Sequence, residues 1–217
     1  MINAVIFDLD QTLLDRTATF KLFLGNQHAR FEQELTSVPT ADFISMIMRY
    51  DKNGYAPKEE VYAQVCTEFD LTIQDKLLAD FLENYGQEPV LFDDAIGVLE
   101  TLSKSYPLGL ITNGRVKGQS AKIDQSGIRH FFKAIKISEG EGVKKPSPII
   151  FERCLAKMGV AAGQAVYIGD HPEKDVAAAQ KVGLKGIWRA NPHYQTPDYA
   201  DGMINNLNEL IDLLPKL

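Results

Sequence analysis

The sequence predicts an α/β fold, with a doubly wound parallel sheet as its core and an α-helical segment inserted after the first strand. Short apolar runs rich in β-branched residues recur along the chain, and segments with helical spacing of apolar residues lie between them. Because these runs are apolar on both faces, they are typical of strands buried inside a parallel sheet. One long stretch, from about Thr17 to Tyr85, has helical spacing and no clear strand run.

The alternation of strands and helices justifies the core elements in order. Strands are predicted over five runs, at residues 4–7, 108–111, 134–137, 165–168 and 186–188. A helix presenting Ile96, Leu99 and Leu102 is expected after Asp93 or Asp94, which can cap it. Two further helices are expected to begin at Ser147-Pro148 and at Asp175, and to end at Gly159 and Gly183. This order predicts a Rossmann-like sheet with helices on both faces.

The helical insertion divides the chain into two predicted parts. Residues 1–15 with 88–217 form the core domain, and residues 16–87 form the insertion, which we call the helical cap. Because the cap is tethered by two crossings of the chain, we interpret it as a lid over a site. The alternative is that its helices pack on the edge of the sheet.

Composition and charge exclude several classes of protein. The 217 residues are 45% hydrophobic and 24% charged, which is ordinary for a globular chain and excludes a disordered one. A net charge of -6 offers no basic field for nucleic acid or for an anionic membrane. No apolar run is long enough to span a bilayer. Cys66 and Cys154 match no metal or disulfide pattern, so we expect reduced thiols and a cytoplasmic protein.

Polar side chains follow several of the predicted strands at the point where each strand ends. Asp8 and Asp10 come directly after the first strand, and ligands of open α/β sheets bind beyond the carboxyl ends of strands. Further groups follow later in the chain: the Thr112 hydroxyl with Asn113, the Lys145 ammonium, and the carboxylates of Asp170 and Asp175. We expect these groups to converge on one pocket, where clustered carboxylates suit Mg²⁺ and a lysine suits phosphate.

These residues resemble, in order and spacing, the four motifs of the haloacid dehalogenase (HAD) superfamily. The matching segments are Asp8-x-Asp10-x-Thr12, Thr112-Asn113, Lys145-Pro146 and Gly169-Asp170-x4-Asp175, and the resemblance covers about two thirds of the chain. Gln11 departs from the pattern, because many members have glycine there. With the insertion between the first and second motifs, the chain resembles members with a helical cap of the first type, and most of all the small-molecule phosphatases among them.

The resemblance implies a Mg²⁺-dependent phosphoric monoester hydrolase that works through an aspartyl-phosphate. It implies that Asp8 is the nucleophile and Asp10 the general acid and base, with Thr112, the backbone N–H of Asn113 and Lys145 binding the phosphoryl oxygens. The implied metal ligands are Asp8, the backbone carbonyl of Asp10, Asp170 and Asp175. The expected partner is a small phosphorylated metabolite, a sugar phosphate or a nucleoside monophosphate, acted on by a monomer or homodimer.

Three other functions stay open at the level of sequence. A phosphomutase of the same superfamily would use the same residues and pass the phosphoryl group to a second substrate. A haloacid dehalogenase is less favoured, because members of that branch lack the second aspartate, which is Asp10 here. A regulator that binds a phosphometabolite without turnover is disfavoured by the presence of both Asp8 and Asp10. Whether His171 or Arg115 contacts substrate is also open.

Overall fold

The computed structural model describes all residues, 1–217, and contains one six-stranded sheet. The strands are β1 (Ala4–Phe7), β2 (Leu108–Thr112), β3 (Phe132–Ile137), β4 (Ala165–Gly169), β5 (Lys185–Arg189) and β6 (Gly202–Ile204). Their order across the sheet is β3-β2-β1-β4-β5-β6, and every neighbouring pair is parallel. The predicted parallel α/β fold is confirmed, and five of its six strands were predicted.

Ten α-helices accompany the sheet. They are α1 (Arg16–Arg30), α2 (Thr40–Asp51), α3 (Lys58–Glu68), α4 (Gln74–Asn84), α5 (Ala95–Leu102), α6 (Val116–Gln125), α7 (Ser138–Glu141), α8 (Pro148–Met158), α9 (Ala178–Lys181) and α10 (Glu209–Leu213). A π-helical turn (Pro172–Ala177) leads into α9, and short 3₁₀ turns cover Lys52–Gly54, Arg129–Phe131, Ala162–Gln164 and Leu214–Lys216. None of the helices combines the length and apolarity that crossing a membrane requires.

The prediction for the helix before β2 was wrong in two details. Asp94 occupies the N-cap position of α5, yet its carboxylate caps nothing there and accepts from the backbone N–H of Asn208 instead, at 3.1 Å. Ile96 is 37% exposed, because the buried face of α5 is formed by other side chains, namely Ala95, Val98, Leu99 and Leu102.

The helix after β4 begins earlier than predicted. Its first turn starts at Pro172 rather than at Asp175, and the His171 Nδ1 atom caps it by accepting from the backbone N–H groups of Glu173 and Lys174. The Asp175 carboxylate is therefore not used as a cap and is available for other contacts.

The sheet is buried on both faces, and β1 shows how one strand serves both. Alternate side chains of a strand point to opposite faces. Val5 and Phe7 join a core cluster on one face that includes residues of α5 and α10, whereas Ala4 and Ile6 join a second cluster with residues of α8. All four residues of β1 are fully buried, which fixes the strand and hence the loop that follows it.

The chain divides into two compact units. One unit contains Met1–Asp15 and Pro89–Leu217 and includes the whole sheet; the other is Arg16–Glu88 and consists of α1 to α4 with their connections. Glu88 thus groups with the helical unit and not with the core, one residue away from the predicted boundary. Within the helical unit, apolar side chains from all four helices form a separate core, including Phe20, Phe43, Val61 and Leu77.

Candidate active site

The loop after β1 begins the site with Asp8. Its backbone N–H donates to the Ile168 carbonyl at 2.8 Å, which extends the parallel pairing of β1 with β4 by one residue. The side chain is buried, and Thr12 donates a long hydrogen bond to its Oδ2 atom at 3.4 Å. Gln11, the residue that departs from the family pattern, has a φ of 61°. The Asp8 carboxylate is therefore held at the carboxyl end of a central strand.

Lys145 lies against this carboxylate and uses three hydrogen bonds. Its Nζ atom donates to Asp8 Oδ1 at 2.5 Å, to Asp175 Oδ1 at 2.7 Å and to the Tyr167 hydroxyl at 2.9 Å. An ammonium group has three donors, so the three acceptors match its full capacity. The side chain is only 4% exposed, and burial of a lysine is tolerated when its charge is paired in this way.

Asp170 and Asp175 reach the same place from the segment after β4. Asn191 donates to Asp170 Oδ2 at 2.6 Å, and the backbone N–H of His171 donates to Asp175 Oδ2 at 3.0 Å. Gly169 is required for this approach, because a Cβ at that position would lie 2.5 Å from the Asp175 side chain. Carboxylate oxygens of Asp8, Asp170 and Asp175 lie within 4.8 Å of one another.

The charges of this cluster do not balance, since three carboxylates face one ammonium. Burial raises the pKa of Asp8 well above its ordinary value; Lys145 opposes this rise, and Asp175 and Asp170 add to it. Burial, followed by the charge of Asp175, raises the pKa of Asp170 to about 7. Burial would lower the pKa of Lys145, but the charges of Asp175 and Asp8 outweigh it and raise that pKa. Lys145 therefore keeps its positive charge, and this single charge is not enough to neutralise the three carboxylates.

The donor set of the cluster fits a hard divalent cation. Carboxylate oxygens are the ligands such cations prefer, and a dication would supply the positive charge that Lys145 alone does not. The cluster contains three of the four expected metal ligands, Asp8, Asp170 and Asp175. The fourth expected ligand is the backbone carbonyl of Asp10. The Asp10 side chain is not part of the cluster and contacts Lys122 and Gln119 instead.

Asp10 is held by two residues of α6. Lys122 Nζ lies 2.8 Å from Asp10 Oδ1 and 3.0 Å from Oδ2, and Gln119 Nε2 donates to Oδ2 at 2.9 Å. Gln119 and Lys122 are three positions apart, so they share one face of the helix. Both are buried, whereas the Asp10 side chain is 22% exposed. These contacts fix the direction of the Asp10 carboxyl group.

Thr112 is the last residue of β2, Asn113 follows it, and both contact groups already described. Gln119 Nε2 also lies 2.5 Å from Thr112 Oγ1, so one amide joins the Thr112 hydroxyl to Asp10. The Asn113 side chain forms two hydrogen bonds with the backbone of Lys145, accepting from its N–H at 2.9 Å and donating to its carbonyl at 3.1 Å. Asn113 therefore ties the loop that carries Lys145 to the end of β2.

The sequence analysis missed four residues that contact this site: Gln119, Lys122, Tyr167 and Asn191. Gln119 and Lys122 could have been found, because they lie at helical spacing directly after the Thr112-Asn113-Gly114 strand end. Tyr167 carried a weaker signal, as the one hydroxyl in an otherwise apolar strand. Asn191 follows β5, and nothing in the local sequence distinguishes it.

His171 and Arg115 had been left open. The His171 ring serves the fold, since it caps the turn at Pro172 and lies against Tyr194 with ring centroids 4.7 Å apart. Arg115 is exposed at the start of α6.

Comparison with known proteins identifies the family of this chain. The family model of haloacid dehalogenase-like hydrolases matches residues 5–188, which include every site residue named above except Asn191. The glyceraldehyde 3-phosphate phosphatase of Pyrococcus furiosus is 29% identical over 99% of this chain and 94% of its own length. The N-acylneuraminate-9-phosphatase of Mus musculus is 30% identical over 100% of this chain and 93% of its own.

Solved structures show the same fold. The HAD hydrolase YfnB from Bacillus subtilis, described as bound to magnesium, is 24% identical, with a TM-score of 0.76 and coverage of 98% of both chains. A 2-haloacid dehalogenase from Pseudomonas syringae is 28% identical, with a TM-score of 0.67, over 100% of this chain and 99% of that one. From the family match and these relatives, the chain belongs to the haloacid dehalogenase-like hydrolases and is a phosphatase of that family.

Proposed function

We propose that this protein is a Mg²⁺-dependent phosphatase that hydrolyses a small phosphorylated metabolite through an aspartyl-phosphate on Asp8. The observation that carries the proposal is the position of the Asp8 carboxylate at the end of a central parallel strand. There it contacts the Lys145 ammonium and lies beside two further carboxylates, Asp170 and Asp175. A nucleophile, a cation for the phosphoryl oxygens and a set of metal ligands are thus within one small volume.

The reaction divides one difficult hydrolysis into two easier steps. In the first step an Asp8 carboxylate oxygen attacks phosphorus, the bond from phosphorus to the substrate oxygen breaks, and Asp10 donates a proton to the leaving alkoxide. In the second step a water molecule attacks the same phosphorus and gives its proton to Asp10, and the bond to Asp8 breaks to release phosphate. Lys122 and Gln119 hold Asp10 in one direction for both transfers.

The remaining residues bind the phosphoryl group and the metal. Lys145, the Thr112 hydroxyl and the backbone N–H of Asn113 would meet the phosphoryl oxygens, where negative charge accumulates in the transition state. Asp8, Asp170, Asp175 and the backbone carbonyl of Asp10 would hold Mg²⁺. When bound, the metal supplies positive charge that allows a carboxylate to approach a phosphate dianion.

The substrate class that the relatives support is a phosphorylated sugar. The two curated relatives are named for glyceraldehyde 3-phosphate and for an N-acylneuraminate 9-phosphate, and both align over nearly the whole chain. This favours a sugar phosphate over a nucleoside monophosphate. The helical unit, Arg16–Glu88, would act as a cap that contributes to substrate selection, as its insertion between the first two motifs indicates.

Hydrolysis of a haloacid is a second candidate, because one similar solved structure is a 2-haloacid dehalogenase. The retention of Asp10, together with the two buried side chains that hold it, favours phosphoryl transfer. A proton donor has a clear use when an alkoxide leaves and no use when a halide ion leaves.

The experiment is phosphate release from an aryl phosphate and from a panel of phosphorylated sugars, with Mg²⁺ present. We expect release from the aryl phosphate and from at least one sugar phosphate, and none from the Asp8→Asn variant. A phosphomutase would release little phosphate from the aryl compound, and a dehalogenase would instead release halide from a 2-haloacid. Either result would overturn the proposal.

A further inference from the structure

Tyr167 is an unusual residue for its position in the fold. It lies in β4, a strand in which every residue is buried, and its ring is fully buried against Phe151 of α8. A hydroxyl in such a place costs free energy unless it finds hydrogen-bond partners. An apolar side chain would fill the same space without this requirement, so the partners of the hydroxyl indicate what it does.

The Tyr167 hydroxyl joins two parts of the site. It accepts a hydrogen bond from Lys145 Nζ at 2.9 Å. Its own proton has two acceptors at similar distances, the Ile111 carbonyl at 3.2 Å and Asp175 Oδ1 at 3.3 Å. Because Ile111 directly precedes Thr112, the hydroxyl links the end of β2 to the lysine. Donating its proton to either acceptor leaves a lone pair of the hydroxyl oxygen to accept from Lys145.

We infer that Tyr167 is a positioning residue that holds the Lys145 ammonium in place to receive a phosphoryl group. This inference rests on the proposed function. In the structure the three N–H groups of Lys145 are directed to Asp8, Asp175 and Tyr167. To bind a phosphoryl oxygen, the ammonium must exchange one of these acceptors, and the remaining ones must keep it from moving away.

The neutral charge of the hydroxyl is the reason that it suits this task. The other two acceptors are carboxylates, which repel a phosphate dianion and which the proposed function also uses for other purposes. A third carboxylate at this position would increase that repulsion. A hydroxyl anchors the ammonium without adding negative charge, and it leaves the positive charge of Lys145 available to the substrate.

The test compares two variants that each remove one buried hydroxyl. Tyr167→Phe keeps the ring and removes the contact with Lys145. Tyr62→Phe is the matched control, since Tyr62 is also fully buried and its hydroxyl donates to Gln27 Oε1 at 2.8 Å within the helical unit. Binding of inorganic phosphate in the presence of Mg²⁺ is measured by calorimetry, together with kcat/KM for an aryl phosphate and with thermal unfolding.

We expect Tyr167→Phe to weaken phosphate binding and to lower kcat/KM by about tenfold each, as the loss of a hydrogen bond to a charged group implies. Both variants should lower the unfolding temperature by similar amounts, because each loses one buried hydrogen bond. Tyr62→Phe should nevertheless leave phosphate affinity within about twofold of the parent. Phosphate affinity of Tyr167→Phe within twofold of the parent would overturn the inference. So would an equal loss of phosphate affinity in Tyr62→Phe, because the effect would then be structural.

Failure of the proposed function gives a different result. A parent protein that binds phosphate but releases none from the aryl substrate would contradict the phosphatase proposal. The phosphate affinities of the two variants would still report on Tyr167, and a tenfold loss confined to Tyr167→Phe would support its positioning role.

Discussion

Asp8 and Asp10 lie two positions apart in one loop, yet the regions that they enter differ in charge. Around Asp8, three carboxylates lie within 4.8 Å of one another and face the single ammonium of Lys145. Around Asp10, one carboxylate meets the ammonium of Lys122 and the neutral amide of Gln119. The first region has an excess of negative charge, and in the second the carboxylate and the ammonium balance.

Because of this difference in charge, the two regions have different requirements in the proposed reaction. The Asp8 region needs an additional cation before a phosphate dianion can approach it, so we expect the proposed metal dependence to arise there. The Asp10 region is balanced without a metal, and its stability depends on the pair with Lys122. Changes to the first region should therefore affect chemistry and metal binding, and changes to the second should affect folding as well as chemistry.

The largest effect is expected from Asp8→Asn, which removes the proposed nucleophile. We expect phosphate release to fall by at least about a thousandfold, since the loss of a covalent nucleophile is among the most severe catalytic changes. The fold should persist, because Asn reduces the crowding of negative charge and Lys145 keeps its contact with Asp175. Steady-state kinetics and circular dichroism check both parts, with the exposed Asp124→Asn as control. A well-folded variant with activity near the parent level would remove Asp8 from the mechanism.

Asp10→Asn should destabilise the protein, in contrast to Asp8→Asn. It leaves the buried Lys122 ammonium without the carboxylate that faces it, and breaking a buried pair on one side costs about 3 kcal/mol. The double variant Asp10→Asn/Lys122→Met removes both charges and should recover most of that loss. Urea unfolding of the two variants measures the difference. Equal stability of Asp10→Asn and the parent would show that the pair does not support the fold.

The comparison of these two aspartates also shows which parts of the site could be predicted from the sequence. The positions of Asp8, Lys145, Asp170 and Asp175 were predictable, because parallel strands bring their carboxyl ends to one edge of the sheet. The partner of Asp10 was not predicted, since it depends on which face of α6 turns toward the loop. Gln119 and Lys122 were within reach of a helical-spacing argument.

Other contacts depend on packing that no local pattern encodes. The Tyr167 hydroxyl contacts Lys145 only because β4 lies beside β1 and the lysine loop folds over it. Asn191 reaches Asp170 from beyond a different strand. The strand β6 has three residues and lacked any apolar run to mark it. The start of the helix after β4 was placed too late, because His171 and not Asp175 provides the cap.

Metal binding should depend on pH through the Asp8 region. Burial raises the pKa of Asp170 to about 7, and metal binding requires its charged form. We therefore expect Mg²⁺ affinity, measured by calorimetry, to fall by at least about tenfold for each pH unit below 7. Mg²⁺ affinity that is constant from pH 5 to pH 8 would contradict this assignment.

In the metal-free protein, the effect of pH on folding stability through Asp170 has the opposite sign to the usual effect of an aspartate. Since the folded pKa of Asp170 is raised, its contribution is favourable at low pH and is lost as pH rises from about 4 to about 7. The metal-free protein should become less stable across this range, and saturating Mg²⁺ should reduce or reverse the trend. Asp170→Asn serves as the control, because it should show a weaker trend.

The smallest effect is expected at His171, which lies beside the Asp8 region but serves the fold. His171→Ala should cost about 1 kcal/mol of unfolding free energy through loss of the helix cap. His171→Asn, which keeps an acceptor near the same place, should recover part of it. Both variants should retain the Mg²⁺ affinity of the parent, and a large loss of Mg²⁺ binding would place His171 in the metal site instead.

The central claim is that Asp8 accepts a phosphoryl group. It is tested most directly by acid quenching during turnover of an aryl phosphate with Mg²⁺, followed by mass spectrometry of the peptide that contains Asp8. We predict a phosphoryl adduct on that peptide in the parent and none in Asp8→Asn. Rapid turnover by the parent with an adduct on a different residue would contradict the account.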